Sequence, residues 1–220
     1  MTERIRVSAF PWVPEFARGQ VRDLRVRWAL EEAVLPYETY LIDHREKDSD
    51  AYLRHQPFGQ VPMMLLDDDH SMFESGAIVL KIGENHEALL PRDERRRDKT
   101  LSWLFASLNS VEPSVMQLAE LDFFVEDETV RSRHRPSVVK ATERRLDHLE
   151  SALGDDDYLV ENFTIADLMM TSVLRILAYT DILANHPQLS AYVERCTARP
   201  AFQRALKAQL QTFDAHAPGD

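Results

Sequence analysis

The feature that most constrains this chain is where its β-strand signatures stop. Ile5, Val7 and Ala9 alternate with Arg6 and Ser8, a period of two that reads as a strand. From about Gln20 the apolar residues Leu24, Trp28, Ala29 and Ala33 recur at helical spacing, with Glu31 and Glu32 on the other side. Leu35-Pro36 ends that helix, because the residue before proline is pushed out of the helical region. Tyr37 to Ile42 is β-rich again. Strand, helix, strand over so short a span is a βαβ unit, which implies two parallel strands. After a polar stretch and a short helix near Asp50–Arg54 come Val61–Leu66 and Ser71–Phe73, separated by Asp67-Asp68-Asp69-His70. Two apolar runs around an Asp-rich turn predict a hairpin, and Glu74–Asn85 a helix after it. Beyond Leu90-Pro91 only amphipathic helical stretches remain, at about 93–121, 129–153, 165–183, 188–198 and 201–213.

The expected fold class is therefore an α/β thioredoxin-like N-terminal domain, βαβ then ββα, followed by an all-α C-terminal domain. The expected boundaries are 1–86 for the first domain, 87–92 for the linker and 93–220 for the helical domain.

Charge narrows the partners. A formal net charge of −11 argues against nucleic acid or an acidic membrane surface, since phosphate binding draws on surplus Lys and Arg. Arg95-Arg96-Arg97 is flanked by Asp93, Glu94 and Asp98 and reads as a solvated helix face. The single cysteine, Cys196, provides no intramolecular disulfide framework and suits a reducing compartment. The N-terminus lacks the apolar run of a signal peptide, and no uncharged stretch reaches the roughly 18 residues of a membrane span. A cytoplasmic location is expected.

Two motifs carry chemistry. Pro57-Phe58-Gly59-Gln60-Val61-Pro62, and then Phe73-Glu74-Ser75-Gly76-Ala77-Ile78, closely resemble the glutathione-site signature of the cytosolic glutathione transferases. Leu35-Pro36-Tyr37-Glu38, Phe163-Thr164-Ile165-Ala166-Asp167 and Ala198-Arg199-Pro200-Ala201-Phe202 agree with that family in the right order, so the resemblance covers nearly the whole chain. It implies the glutathione transferase fold and a cis Val61-Pro62 bond that turns the Val61 main chain outward to pair with a peptide ligand. It also implies that Glu74 receives the ammonium of the γ-glutamyl head, and that Gln60 helps hold the glycyl end. Ser75, placed before an apolar helical run, is expected as the N-cap, with first-turn N–H groups facing the carboxylate. Thr164-x-x-Asp167 is a capping box starting a core helix, which makes Asp167 structural.

The same resemblance implies glutathione as co-substrate, no metal, a homodimer, and addition of the glutathione thiolate to a hydrophobic electrophile, as in detoxification. Peroxidase-type or dehalogenating glutathione chemistry is a neighbouring expectation. The chain departs from the family where a Tyr, Ser or Cys ordinarily assists the thiolate: Phe10 to Arg27 contains no Ser, Thr, Tyr or Cys. Cys196 lies far along the helical domain, which disfavours cysteine-based chemistry. The remaining candidates beside the thiol are Arg18 and Gln20, aided by the positive end of the following helix. Trp12 and Phe16, with Phe105, Asn109 and Met116 on the first helix of the second domain, are expected to wall the electrophile pocket. The rival expectation is a non-catalytic glutathione-transferase-like docking module in a protein complex.

Overall fold

The structure is a computed structural model and describes residues 5–67 and 70–218. The chain divides into two compact units, one of residues 1–89 with 199–220 and the other of residues 90–198.

The first unit is built on four strands, β1 (Ile5–Ala9), β2 (Tyr37–Leu41), β3 (Met63–Leu65) and β4 (Ser71–Phe73), in the order β2-β1-β3-β4. β1 runs parallel to β2 from Ile5↔Tyr37 to Ala9↔Leu41, as the βαβ pattern requires. β3 is antiparallel to β1 and to β4, which closes the hairpin. In the turn of that hairpin the His70 N–H donates to Asp67 Oδ1 at 2.7 Å, while Asp68 and Asp69 lie outside the described residues.

α1 (Asp23–Glu32) is buried from Asp23 to Leu30 on every side, not along one stripe. It packs on β1, on α3 (Ser75–Glu84) and on the last helix of the chain, α9 (Pro200–Ala215). Sequence reading puts α9 in the helical domain; its contacts put it in the first unit, where it straps α1. Phe202 meets Trp28 edge to face at 4.8 Å between centroids. Arg199 grips Glu32 with two bonds of 2.6 and 2.8 Å, and Arg204 bonds Glu31 at 2.7 Å. The side of α1 that carries Glu31 and Glu32 is therefore the one that meets Arg199 and α9. The short α2 (Asp50–Leu53) supplies Tyr52 to a small core with Ile42, Val61, Met63 and Leu65.

The second unit is helical: α4 (Glu94–Ala106), α5 (Glu112–Phe124), α6 (Glu128–Leu153), α7 (Ile165–Leu174) and α8 (Pro187–Thr197). The periodicity predicts one helix over 93–121, but a π-helical turn at Ser107–Val111 joins α4 to α5 just before Pro113. Proline has no N–H to give the preceding turn, and a widened turn accommodates that loss. α7 is buried along its whole length. Thr164 caps it, and Asp167 accepts from Leu159 N–H at 2.8 Å, Thr164 N–H at 2.8 Å, Thr164 Oγ1 at 3.1 Å and Tyr192 Oη at 3.0 Å. The expected capping box is present, and burial raises the Asp167 carboxyl above its ordinary range despite these donors. Among the described residues no helix is long and apolar enough to cross a membrane.

Candidate functional site

The β3–β4 register brings the two chemistry-bearing motifs together. Met63, which follows Pro62, pairs with Phe73, which precedes Glu74. The Val61-Pro62 peptide is cis, and the β3 ladder begins only at Met63, so the Val61 main chain lies outside the strand pairings. Gln56 shapes the approach to this loop. Its Oε1 accepts from Phe58 N–H at 2.7 Å, and its carbonyl accepts from Gly59 N–H at 3.1 Å. Gly59 has φ +61°, and a Cβ there would stand 2.9 Å from Asp48 Oδ1 and 3.1 Å from the Lys47 carbonyl. Glycine is thus favoured by backbone angle, and a side chain there would also have to displace Asp48 and crowd the Lys47 carbonyl.

On the other side of the register, the expected cap is corrected. Ser75 is the first helical residue of α3, and the N-cap is Glu74, at φ 68° and ψ 112°. Ser75 already has helical geometry, so its hydroxyl cannot reach forward as a cap does; it accepts instead from Arg25 Nη1 at 3.3 Å. Glu74 makes no side-chain cap bond and is exposed. Its positive φ is uncommon for a side-chain-bearing residue and turns the chain from β4 into α3. Gln60 is exposed, while its carbonyl accepts from Tyr52 Oη at 2.6 Å.

Arg25 was missed in the sequence. It is 3% exposed and places a guanidinium behind the first turn of α3. The signal was an arginine inside a helix whose neighbours Leu24, Val26 and Trp28 are all apolar core. A buried charge of that kind is kept only with partners.

The loop before α1 carries Arg18 and Gln20. Arg18 bonds Asp214 of α9, lies 3.4 Å from Glu15, and rests over the Phe213 ring at 5.8 Å. Its cation is shared between two carboxylates. Gln20 is half-buried at the end of a turn in which its N–H donates to the Ala17 carbonyl at 3.0 Å. At the start of α1, Asp23 is fully buried, bonded to Arg27 at 2.7 Å and to Gln209 Nε2 at 2.6 Å. Burial raises its carboxyl above the usual range, with Arg27 opposing. A carboxylate thus already occupies the positive end of α1.

Trp12 is half-buried and Phe16 exposed in the first unit; Phe105 and Asn109 are exposed and Met116 half-buried in the second. Asn109 sits in the π-helical turn. Cys196 is buried in α8. A groove of about 950 Å³ beside β2, lined by residues including Leu30, Tyr37 and Ala208, contains none of the expected site residues.

This mixed four-stranded sheet, with a cis proline opening β3 and a helix starting two residues after β4, defines a thioredoxin-like unit, and the family models match it and the helical unit in turn. The family model described as Glutathione S-transferase, N-terminal domain, matches residues 16–83, and that described as Glutathione S-transferase, C-terminal domain, matches residues 112–200. The chain belongs to the glutathione S-transferase family. It is 30% identical over 195 residues to the disulfide-bond oxidoreductase YfcG of Escherichia coli strain K12, covering 82% of this chain and 88% of that one. It is 28% identical over 174 residues to the glutathione S-transferase GstA of Escherichia coli O157:H7, covering 77% and 83%. Among solved structures, a glutathione transferase from Pseudomonas putida with glutathione disulfide bound superposes with TM-score 0.80 at 24% identity, over 93% of this chain and 91% of that one. Ure2p in complex with glutathione superposes with TM-score 0.81 at 20% identity, over 94% of each chain.

Proposed function

We propose that this protein is a glutathione transferase that binds glutathione as the thiolate and adds it to a hydrophobic electrophile. The observation that carries the reading is the Met63↔Phe73 pair, which sets the cis Val61-Pro62 loop beside Glu74 and Ser75. An outward main chain at Val61 is suited to pair with a peptide as an added strand does. Glu74 would receive the ammonium of the γ-glutamyl head, and the first turn of α3, with Arg25 behind it, its carboxylate. Gln60 would assist at the glycyl end.

A free thiol of pKa about 8.5 is only a few per cent ionised at neutral pH, and lowering it by about two units asks for ~2.7 kcal/mol. We assign that task to the Arg18–Gln20 loop, with Gln20 ahead of Arg18, whose cation is shared with Glu15 and Asp214. Trp12, Phe16, Phe105, Asn109 and Met116 are the proposed electrophile contacts. The names of the relatives, among them a disulfide-bond oxidoreductase, and the glutathione held by the structural neighbours support glutathione as co-substrate. Peroxidase-type or dehalogenating chemistry would use the same thiolate. Cytoplasmic detoxification by a homodimer completes the reading.

The absence of any Ser, Thr, Tyr or Cys between Phe10 and Arg27 favours a second reading, a non-catalytic docking module of the same fold. Calorimetric titration with glutathione and with S-hexylglutathione separates the two. Binding of both, tighter for the hexyl form, supports a thiol site beside an apolar pocket. Binding of neither abandons the transferase reading for the docking module.

A further inference from the structure

The loop that offers Val61 to a ligand is held from below by two side chains that neither motif contains. Tyr52 Oη lies 2.6 Å from the Gln60 carbonyl oxygen and 2.8 Å from Ser8 Oγ, and Ser8 Oγ lies 2.7 Å from the Met63 amide nitrogen. Only one assignment of protons satisfies all three contacts. A carbonyl can only accept, so the Tyr52 hydroxyl donates to Gln60; Tyr52 Oη then accepts from the Ser8 hydroxyl, and Ser8 Oγ accepts the Met63 N–H. The run Met63 N–H, Ser8 O–H, Tyr52 O–H, Gln60 C=O is a directed chain, and its two ends are the residues that flank Val61-Pro62. Ser8 is fully buried and Tyr52 is 4% exposed, so neither hydroxyl has bulk water as an alternative partner. Ser8 stands in β1, the strand paired on both sides, which gives the chain a rigid anchor.

We propose that Ser8 and Tyr52 are positioning residues for glutathione: they hold the main chain of Gln60–Met63 in the geometry that pairs with the peptide without touching it. The proposal rests on the glutathione-binding reading above. Consecutive hydrogen bonds strengthen one another, so loss of either hydroxyl frees one end of the loop outright and weakens the hold on the other. With Phe at position 52, the Gln60 carbonyl and the Ser8 hydroxyl each lose a partner while the ring still fills the core. With Ala at position 8, the Met63 N–H and Tyr52 Oη lose theirs.

The test titrates glutathione calorimetrically into the full chain, its Tyr52→Phe and Ser8→Ala variants, and a Thr164→Ala control weakened in the other unit. Thermal melts and amide exchange accompany each titration. Loss of one hydrogen-bonded anchor corresponds to about a tenfold change in Kd, which we expect for Tyr52→Phe and for Ser8→Ala, with the Met63 amide exchanging much faster in Ser8→Ala, where it loses its acceptor. Thr164→Ala is expected to lower the melting temperature and leave Kd unchanged. If glutathione binds the parent chain and the two variants equally, with only the melts lowered, the hydroxyl chain is structural and the inference is overturned. If the parent chain itself does not bind glutathione, the binding reading fails, and this inference falls with it. Tyr52→Phe keeps the ring, so it serves where Ser8→Ala fails to fold.

Discussion

Arg25 reaches from the first turn of α1 to the hydroxyl of Ser75 at the first turn of α3, 3.3 Å away, with both side chains buried. A cation so placed adds to the positive end of α3, and the serine fixes where it points. Ser75→Ala is expected to weaken glutathione binding about tenfold while the protein stays folded, since an alanine is a good residue for a first helical turn. Calorimetry on the folded variant checks it; an unchanged Kd would remove Ser75 from the proposed site.

Arg18 and Gln20 should separate. Arg18 already bonds Asp214 and lies beside Glu15, so Arg18→Ala is expected to leave the titration of bound glutathione nearly unchanged. Gln20→Ala should raise that pKa by about one unit, the equivalent of ~1.4 kcal/mol. Ultraviolet absorbance of the thiolate against pH reads both. The reverse order would return the role to Arg18.

The two members of the capping box are not equal. Thr164→Ala removes one cap and should cost about 1 kcal/mol. Asp167→Ala strips partners from Leu159 N–H, Thr164 N–H and Tyr192 Oη at once, and should cost clearly more, about 3 kcal/mol. Denaturant unfolding of both variants gives the comparison, and a near-equal loss would mean that Asp167 is no more than half of the cap.

Phe202 pins α9 to α1 through Trp28, and both rings are almost fully buried. Phe202→Ala is expected to destabilise by about 3–5 kcal/mol, as for other buried Phe-to-Ala changes. Limited proteolysis should then cleave first within 199–218. Uniform cleavage across the chain would argue that α9 does not detach separately.

Alkaline pH should unfold the protein through its tyrosines. Burial pushes the Tyr52 hydroxyl up to about 12, and burial likewise raises Tyr37, Tyr179 and Tyr192. Between the unfolded value of about 10 and the folded value, the unfolded chain has released protons that the folded one retains, so stability falls as pH rises. It is fully present below about pH 10. Urea midpoints should drop steeply above that pH, and Tyr52→Phe should make the slope shallower.

Much of this was legible in the residues themselves. The alternation in β1, the helix stop at Leu35-Pro36 and the Thr164-x-x-Asp167 cap involve neighbours a few positions apart. The Gly59–Pro62 and Glu74-Ser75 motifs were visible too, yet the local reading of Ser75 as a cap failed because its hydroxyl turns to a residue 50 positions away. The alternation places Ser8 on the polar side of the strand, yet Ser8 is buried there and bonded to Tyr52 of α2.

The sequence by itself determined the order of elements, the strand-rich first part and helical remainder, and the two motifs that mark the proposed glutathione site. Those follow from backbone preferences and hydrophobic period, which act over a turn or two of chain. Only the tertiary structure decided that α9 belongs with α1, that Arg25 stands behind Ser75, and that a serine and a tyrosine tie down the Val61-Pro62 loop. Each joins residues far apart in sequence, and a buried polar group finds its partner only after packing has excluded water and removed every other choice.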